Sequence, residues 1–195
     1  MRKILLSISL VIILMISLIG CSSKGESTDT NNDSISSEEN LFNVKVTLPS
    51  IFFETADTST IESEGKAKGI HDVLVNENGS VTYTMNKKTH RALLDELKTN
   101  TDEMISDTLA DKDTYSSFDK IEYNDDLTKF NIYVDSSKFN PFESFSALTF
   151  YLSGNIYQAM NSVDECNIKT IVNFIDKNTN EVIESGDSSK IGSAQ

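Results

Sequence analysis

Two charged residues, Arg2 and Lys3, precede sixteen uncharged positions, residues 4–19, interrupted only by Ser7, Ser9 and Ser17. A helix of that length spans roughly 24 Å, short of the roughly 30 Å hydrocarbon core of a bilayer. Residues 22–40 then hold a single aliphatic side chain, Ile35, among Ser, Thr, Asn, Asp and Glu. Such a stretch buries too little apolar area to offset its conformational entropy and reads as a disordered tether. Its average reach is roughly 25 Å.

From Leu41 the pattern changes. Val44, Val46 and Leu48 alternate as in a strand. Pro49 ends it and starts a helical turn over 50–54 that places Phe52 and Phe53 inward. Residues 57–69 read as a weak helix stopped by Gly69. Residues 71–75 and 80–85 form a hairpin around Asn76-Glu77-Asn78-Gly79, where Asn-Gly supplies positive φ. A long helix follows over 87–109, capped by Asn86. Leu94, Leu97, Thr101, Met104 or Ile105, and Thr108 or Leu109 mark its buried face.

A second hairpin spans 120–124 and 129–135, with Phe130, Ile132 and Val134 inward. Asn140-Pro141-Phe142-Glu143 starts another helix, reaching about 161, by a cap, a proline at the first helical position and a carboxylate three residues on. A third hairpin covers 168–176 and 181–185. The unit of hairpin and helix occurs twice, with Val81, Tyr83, Met85 and Asn86 offset by 49 from Phe130, Ile132, Val134 and Asp135. The expected fold is α+β: an antiparallel sheet of hairpins with helices packed on one face, ββα-ββα-ββ. The expected organisation is an export signal over 1–20, a tether over 21–40, one domain over 41–186 and a loose tail over 187–195.

The apolar run ends in Leu18-Ile19-Gly20-Cys21. A positive start, an apolar stretch and this tetrapeptide together resemble the lipobox of bacterial lipoprotein precursors. The resemblance implies a diacylglycerol on the Cys21 sulfur and cleavage between Gly20 and Cys21, leaving a lipidated, palmitate-bearing N-terminus on the outer face of the cell membrane. The alternative is an uncleaved signal-anchor helix. Two acyl chains hold a protein on lipid where one does not. The domain is also similar, through Asn78-Gly-Ser-Val-Thr-Tyr-Thr-Met85 and the basic helix start after it, to small uncharacterised lipoproteins of low-GC Gram-positive bacteria. That likeness implies no particular activity.

Charge narrows the partners. The chain has 17 basic and 30 acidic residues, a net charge of −13; residues 41–186 hold 13 basic and 24 acidic ones. That balance excludes an overall basic footprint for nucleic acid and repels anionic lipid, so attachment falls to the anchor. Two cysteines exclude a disulfide scaffold. With Cys21 lipidated, Cys166 stands alone beside Asp164 and Glu165, poor neighbours for a nucleophilic thiolate, and reads as a small buried residue.

No nucleophile elbow, zinc-binding helix, phosphate loop or paired-cysteine motif is present in the sequence, so no enzyme is expected and no catalytic residue is assigned. His71 reads as solvent-facing. Asp111, Asp113, Asp119 and Glu122 occupy positions 1, 3, 9 and 12 of a calcium-type loop. Tyr115 and Ser116 at positions 5 and 6 are unsuited to it, and the other reading is a solvated acidic linker. Lys87, Lys88, His90 and Arg91 crowd a helix start and could hold an anion, or pair with Asp95 and Glu96.

Residues 144–163 carry no charge and include Phe145, Leu148, Phe150, Tyr151, Leu152, Ile156 and Tyr157. Their polar residues suit a core helix better than a second membrane span. The sequence therefore leads to a lipid-anchored, extracytoplasmic, non-catalytic binding module with an envelope protein as partner. The alternative is a sensor of a small ligand or ion, Ca²⁺ or an anion.

Overall fold

Asn43–Leu48 forms strand β1, whose alternation buries Val46 and Leu48 and leaves Lys45 and Thr47 exposed. The computed structural model describes residues 43–53 and 58–191. Pro49, lacking an N–H, ends the strand, and Ser50–Phe52 makes one 3₁₀ turn that leaves Phe52 and Phe53 half-buried against β1. Helix α1, Thr58–Ala67, closes at Gly69, which takes φ +80°. The Gly69 N–H bonds the Lys66 carbonyl and the Ile70 N–H bonds that of Gly65, a termination that satisfies two orphan carbonyls and favours glycine at the left-handed position.

Strands β2 (Asp72–Val75) and β3 (Val81–Asn86) form the expected hairpin, and β1 adds on the far side of β3 to give an antiparallel order β1-β3-β2. The turn differs from expectation in one respect. Gly79 takes φ +79°, whereas Asn78 keeps a negative φ and uses its side-chain oxygen to accept from the Ser80 N–H at 3.1 Å. Helix α2, Lys87–Ala110, begins where Asn86 accepts from the Thr89 N–H at 2.8 Å. It buries Thr101 and Ile105, flanked by half-buried Leu94, Leu97, Met104 and Leu109.

Strands β4 (Phe118–Tyr123) and β5 (Lys129–Val134) pair next, with Phe130, Ile132 and Val134 fully buried. A 3₁₀ turn, Glu143–Ser146, leads into α3, Ala147–Met160. Strands β6 (Ile171–Asp176) and β7 (Val182–Asp187) form the last hairpin. The α+β class and its three hairpins stand, but the hairpins divide between two sheets. The second, order β4-β5-β6-β7, contains a parallel pair, β5 with β6. A parallel neighbour requires a crossover, and α3 supplies it.

Each sheet has its own apolar cluster, and the helices join them. Leu94 and Leu97 of α2 touch both clusters. On α3, Phe150, Tyr151 and Tyr157 enter the cluster on the four-stranded sheet, and Ala159 and Met160 the other. The 49-residue offset relates β3 to β5, each an interior strand. It fails beyond them, because β3 gains an antiparallel neighbour and β5 a parallel one.

Two expectations about surface and tail are corrected. Cys166 is exposed on a 3₁₀ turn, Glu165–Asn167, that runs outside the core. The chain is also ordered past 186: Ser188–Lys190 forms a further 3₁₀ turn, tied to the sheet by the Ser188 N–H on the Thr170 carbonyl at 2.9 Å.

Candidate functional site

Four side-chain hydrogen bonds gather at the turn that leads into α3. The Phe142 N–H donates to Asn140 Oδ1 at 2.9 Å, and the Asn140 N–H donates to Glu143 Oε2 at 2.9 Å. This is the reciprocal box anticipated from the sequence. Glu143 also does something no local pattern reveals. It is buried, and its carboxylate accepts from the Ser117 N–H at 3.1 Å and the Ser117 hydroxyl at 2.8 Å. One side chain thus ties the 3₁₀ turn before α3 to the segment entering β4.

With Glu143 and Ser146 turned inward, Phe142 and Phe145 are turned out. The exposed residues over 141–160 are Pro141, Phe142, Phe145, Leu148 and Leu152, all of them apolar. The four larger ones are 77%, 66%, 51% and 39% exposed, in chain order. Their spacing of three, three and four residues lines them up in one row along the helix. Phe145, Leu148 and Leu152 were expected in the core. The uncharged window over 144–163 hid the outer face, because no charge marks which side meets water.

Behind the row, the buried Tyr151 reaches β7. A Cβ on Gly186 would overlap the Tyr151 hydroxyl, so the Tyr151 side chain lies across this strand with no room for another there. Glu184, opposite the buried Phe174, shares that face of β7, and a register shift separates it from Val182, which is 56% exposed. Burial raises the pKa of Tyr151, and the carboxylates of Asp187 and Glu184 raise it further. Asp187 is paired with Lys169 at 3.3 Å. Glu184 is exposed and has no cationic partner among the described residues.

The structure disperses the other candidates. Gly20 and Cys21 lie outside the described residues. The half-buried His90 donates from Nε2 to the Met160 carbonyl at 2.7 Å, so it joins the start of α2 to the end of α3. Lys87, Lys88 and Arg91 are exposed beside it. Glu96, expected to pair with this cluster, instead binds Lys68.

Asp111 ends α2 and accepts from the Thr114 N–H at 3.1 Å, with Asp113 exposed in the following turn. Asp119 and Glu122 sit on strand β4, where they pair with Lys177 and Lys120. Between these pairs the chain enters the core at Ser117 and Phe118. Among the described residues no three His, Cys, Asp or Glu side chains gather where a metal ion could be held.

Two further surfaces stand out. The open face of the four-stranded sheet carries a polar ladder in which Ser185 donates to Asn173 at 2.7 Å and Asn173 to Asn131 at 3.0 Å. Within it the Asn173 side chain bonds to both neighbours. A shallow groove of about 330 Å³ runs between β1 and the end of α3, lined by Lys45, Asp164, Glu165 and Ile168 among others. No described helix is long and apolar enough to cross a membrane. No family model, curated protein or solved structure matches the chain.

Proposed function

We propose that this chain is an envelope lipoprotein, anchored through Cys21, whose domain is a non-catalytic interaction module held off the membrane by the tether. The observation that carries the binding role is the outer face of α3 and of the turn before it, where every exposed side chain over 141–160 is apolar. Scattered exposed apolar residues are ordinary, but four large ones in a row, with no fully exposed polar residue among them, support a docking surface. The anchoring role rests on Arg2, Lys3, the apolar run and Leu18-Ile19-Gly20-Cys21.

The test places a photoactivatable amino acid at position 145 of the full chain in intact cells, with position 77, on the exposed β2–β3 turn, as control. The expected result is a discrete adduct from 145 and none from 77. Identical background from both positions would contradict the proposal.

A further inference from the structure

We propose that the outer edge of β1 accepts an extended segment of a partner protein as an added strand, with Lys or Arg on that segment meeting Asp164 and Glu165. This edge shares no residue with the apolar row, so either can fail without the other.

Backbone polarity selects an extended chain. The Asn76 N–H donates to the Ser80 carbonyl at 2.8 Å and the His71 N–H to the Thr84 carbonyl at 2.9 Å, so the even-numbered residues of β3 turn their backbone groups toward β2. In an antiparallel ladder the residues between them turn theirs the other way. Val81, Tyr83 and Met85 therefore bond to Leu48, Val46 and Val44, which leaves the N–H and C=O of Lys45 and Thr47 pointing away from the sheet. No described strand lies beyond them. Another extended backbone is what matches such a row of donors and acceptors.

The other three edges carry features that discourage pairing. Strand β4 has a register shift, and Lys112 Nζ donates to the Phe118 carbonyl at 2.6 Å. Strand β7 meets β6 through a register shift, and β2 is four residues long. Strand β1 runs six residues against β3 without a shift. The groove of about 330 Å³ follows this same edge. Lys45, Val46 and Thr47 all line it, and because successive side chains of a strand point to opposite faces, the groove meets β1 along its edge.

Charge selects among extended chains. Asp164 and Glu165 line the groove and are exposed, and neither has a cationic partner among the described residues. The chain's own residues 22–40 carry five acidic side chains and one basic, the wrong sign for this site. A second copy pairing β1 with β1 across a twofold axis brings its own Asp164 and Glu165 to the shared edge, like charge on like.

The test holds the full-length chain in phosphatidylcholine nanodiscs and titrates it into a fluorescein-labelled peptide of alternating valine and threonine with lysine at both ends. A glutamate-for-lysine counterpart, an N-methylated copy without backbone N–H groups and empty nanodiscs serve as controls. The expected result is saturable binding by the lysine peptide and at least about tenfold weaker binding by each counterpart. Thr47→Pro removes an outward N–H at a position where an edge strand tolerates proline. It weakens the lysine peptide by about tenfold or more relative to Thr47→Ala, which loses the same hydroxyl contact with Thr82 but keeps the N–H. Asp164→Asn with Glu165→Gln weakens it less and flattens its salt dependence. Unchanged melting of each variant establishes that the fold is intact.

Absence of saturable binding by the lysine peptide overturns the proposal, as does equal binding of the N-methylated or the glutamate peptide. So does binding indifferent to both Thr47→Pro and the double neutralisation. A Thr47→Pro-sensitive dimer in sedimentation without peptide assigns the edge to a second copy. Binding about tenfold tighter when residues 22–40 are deleted assigns it to the tether. Either result overturns the partner strand.

Discussion

Removing the Glu143 carboxylate tests how the apolar row is held in place. Glu143 is 4% exposed and Ser117 2%. In Glu143→Ala the Ser117 N–H loses its acceptor at 3.1 Å, the Ser117 hydroxyl its acceptor at 2.8 Å, and the Asn140 N–H its acceptor at 2.9 Å. Hydrogen bonds to charged groups contribute about 1.5–3 kcal/mol each, and a buried donor left unpaired costs about 1–3 kcal/mol. The hydroxyl can rotate toward another acceptor, and relief from burying a carboxylate returns part of the loss. The net cost works out at about 3 kcal/mol, a fall in melting temperature of roughly 6–12 °C for a domain of this size.

Ser117→Ala removes only the hydroxyl bond and should cost about 1 kcal/mol. Because the two residues share that bond, the double variant should lose about 1 kcal/mol less than the sum of the singles. Urea unfolding followed by circular dichroism measures all three. A Glu143→Ala cost below about 1 kcal/mol, or strict additivity with Ser117→Ala, would refute this account of how the 3₁₀ turn before α3 is held.

Gly154 on α3 faces the Leu127 carbonyl and the Thr170 hydroxyl, and a Cβ there would also lie 2.8 Å from Thr170 Cγ2. Gly154→Ala should therefore cost about 2 kcal/mol by overpacking, despite alanine's better helix propensity; a melting point at or above that of the parent contradicts this. The Ser146 hydroxyl is buried without a hydrogen-bond partner among the described residues, so Ser146→Ala should stabilise by about 1 kcal/mol in urea unfolding. A loss of stability would show that the hydroxyl has a partner. Burial, and then the Glu64 charge, push Tyr83 up to about 12; burial and the hydrogen bond to Asp102 bring Tyr123 to about 12 as well. Unfolded tyrosine ionises near pH 10, so this contribution to stability is complete below about pH 10 and is lost as pH rises toward 12. Tyr115 and Tyr151 are raised as well, so phenolate absorbance should show four of the six tyrosines titrating above about pH 10, with Tyr83 and Tyr123 the latest, and all six ionising together near pH 10 would contradict the buried environments.

Local patterns carried most of the fold. Alternation located β1, β3 and β5, Asn86 marked the start of α2, and Asn140 to Glu143 marked the turn that leads into α3. Each of these depends on residues within a few positions of one another. What stayed hidden depends on distant partners. Nothing near Val134 or Ile171 in sequence reveals that β5 and β6 lie parallel, because the crossover is decided by where α3 packs.

The site followed the same division. Glu143 was legible as a box residue but not as the acceptor for Ser117, twenty-six positions away. His90 looked like part of a cationic cluster until the end of α3 came against it. The apolar row was misassigned because burial of Phe150, Tyr151 and Tyr157 already satisfies the amphipathic pattern. Its one sequence signal is the spacing of Phe142, Phe145, Leu148 and Leu152, which becomes informative only when the inner face is known to be complete without them.

A docking face works at the envelope only if the chain is held there, so the fate of Cys21 is the direct test. Cells expressing the full-length chain or Cys21→Ala should be grown with radiolabelled palmitate and the chain followed by gel mobility. The expected result is a labelled, shortened, membrane-bound product from the parent. Cys21→Ala should give an unlabelled, full-length precursor. A Cys21→Ala chain that shortens normally, or a parent that takes up no label, would contradict the lipid anchor and with it the proposed place of action.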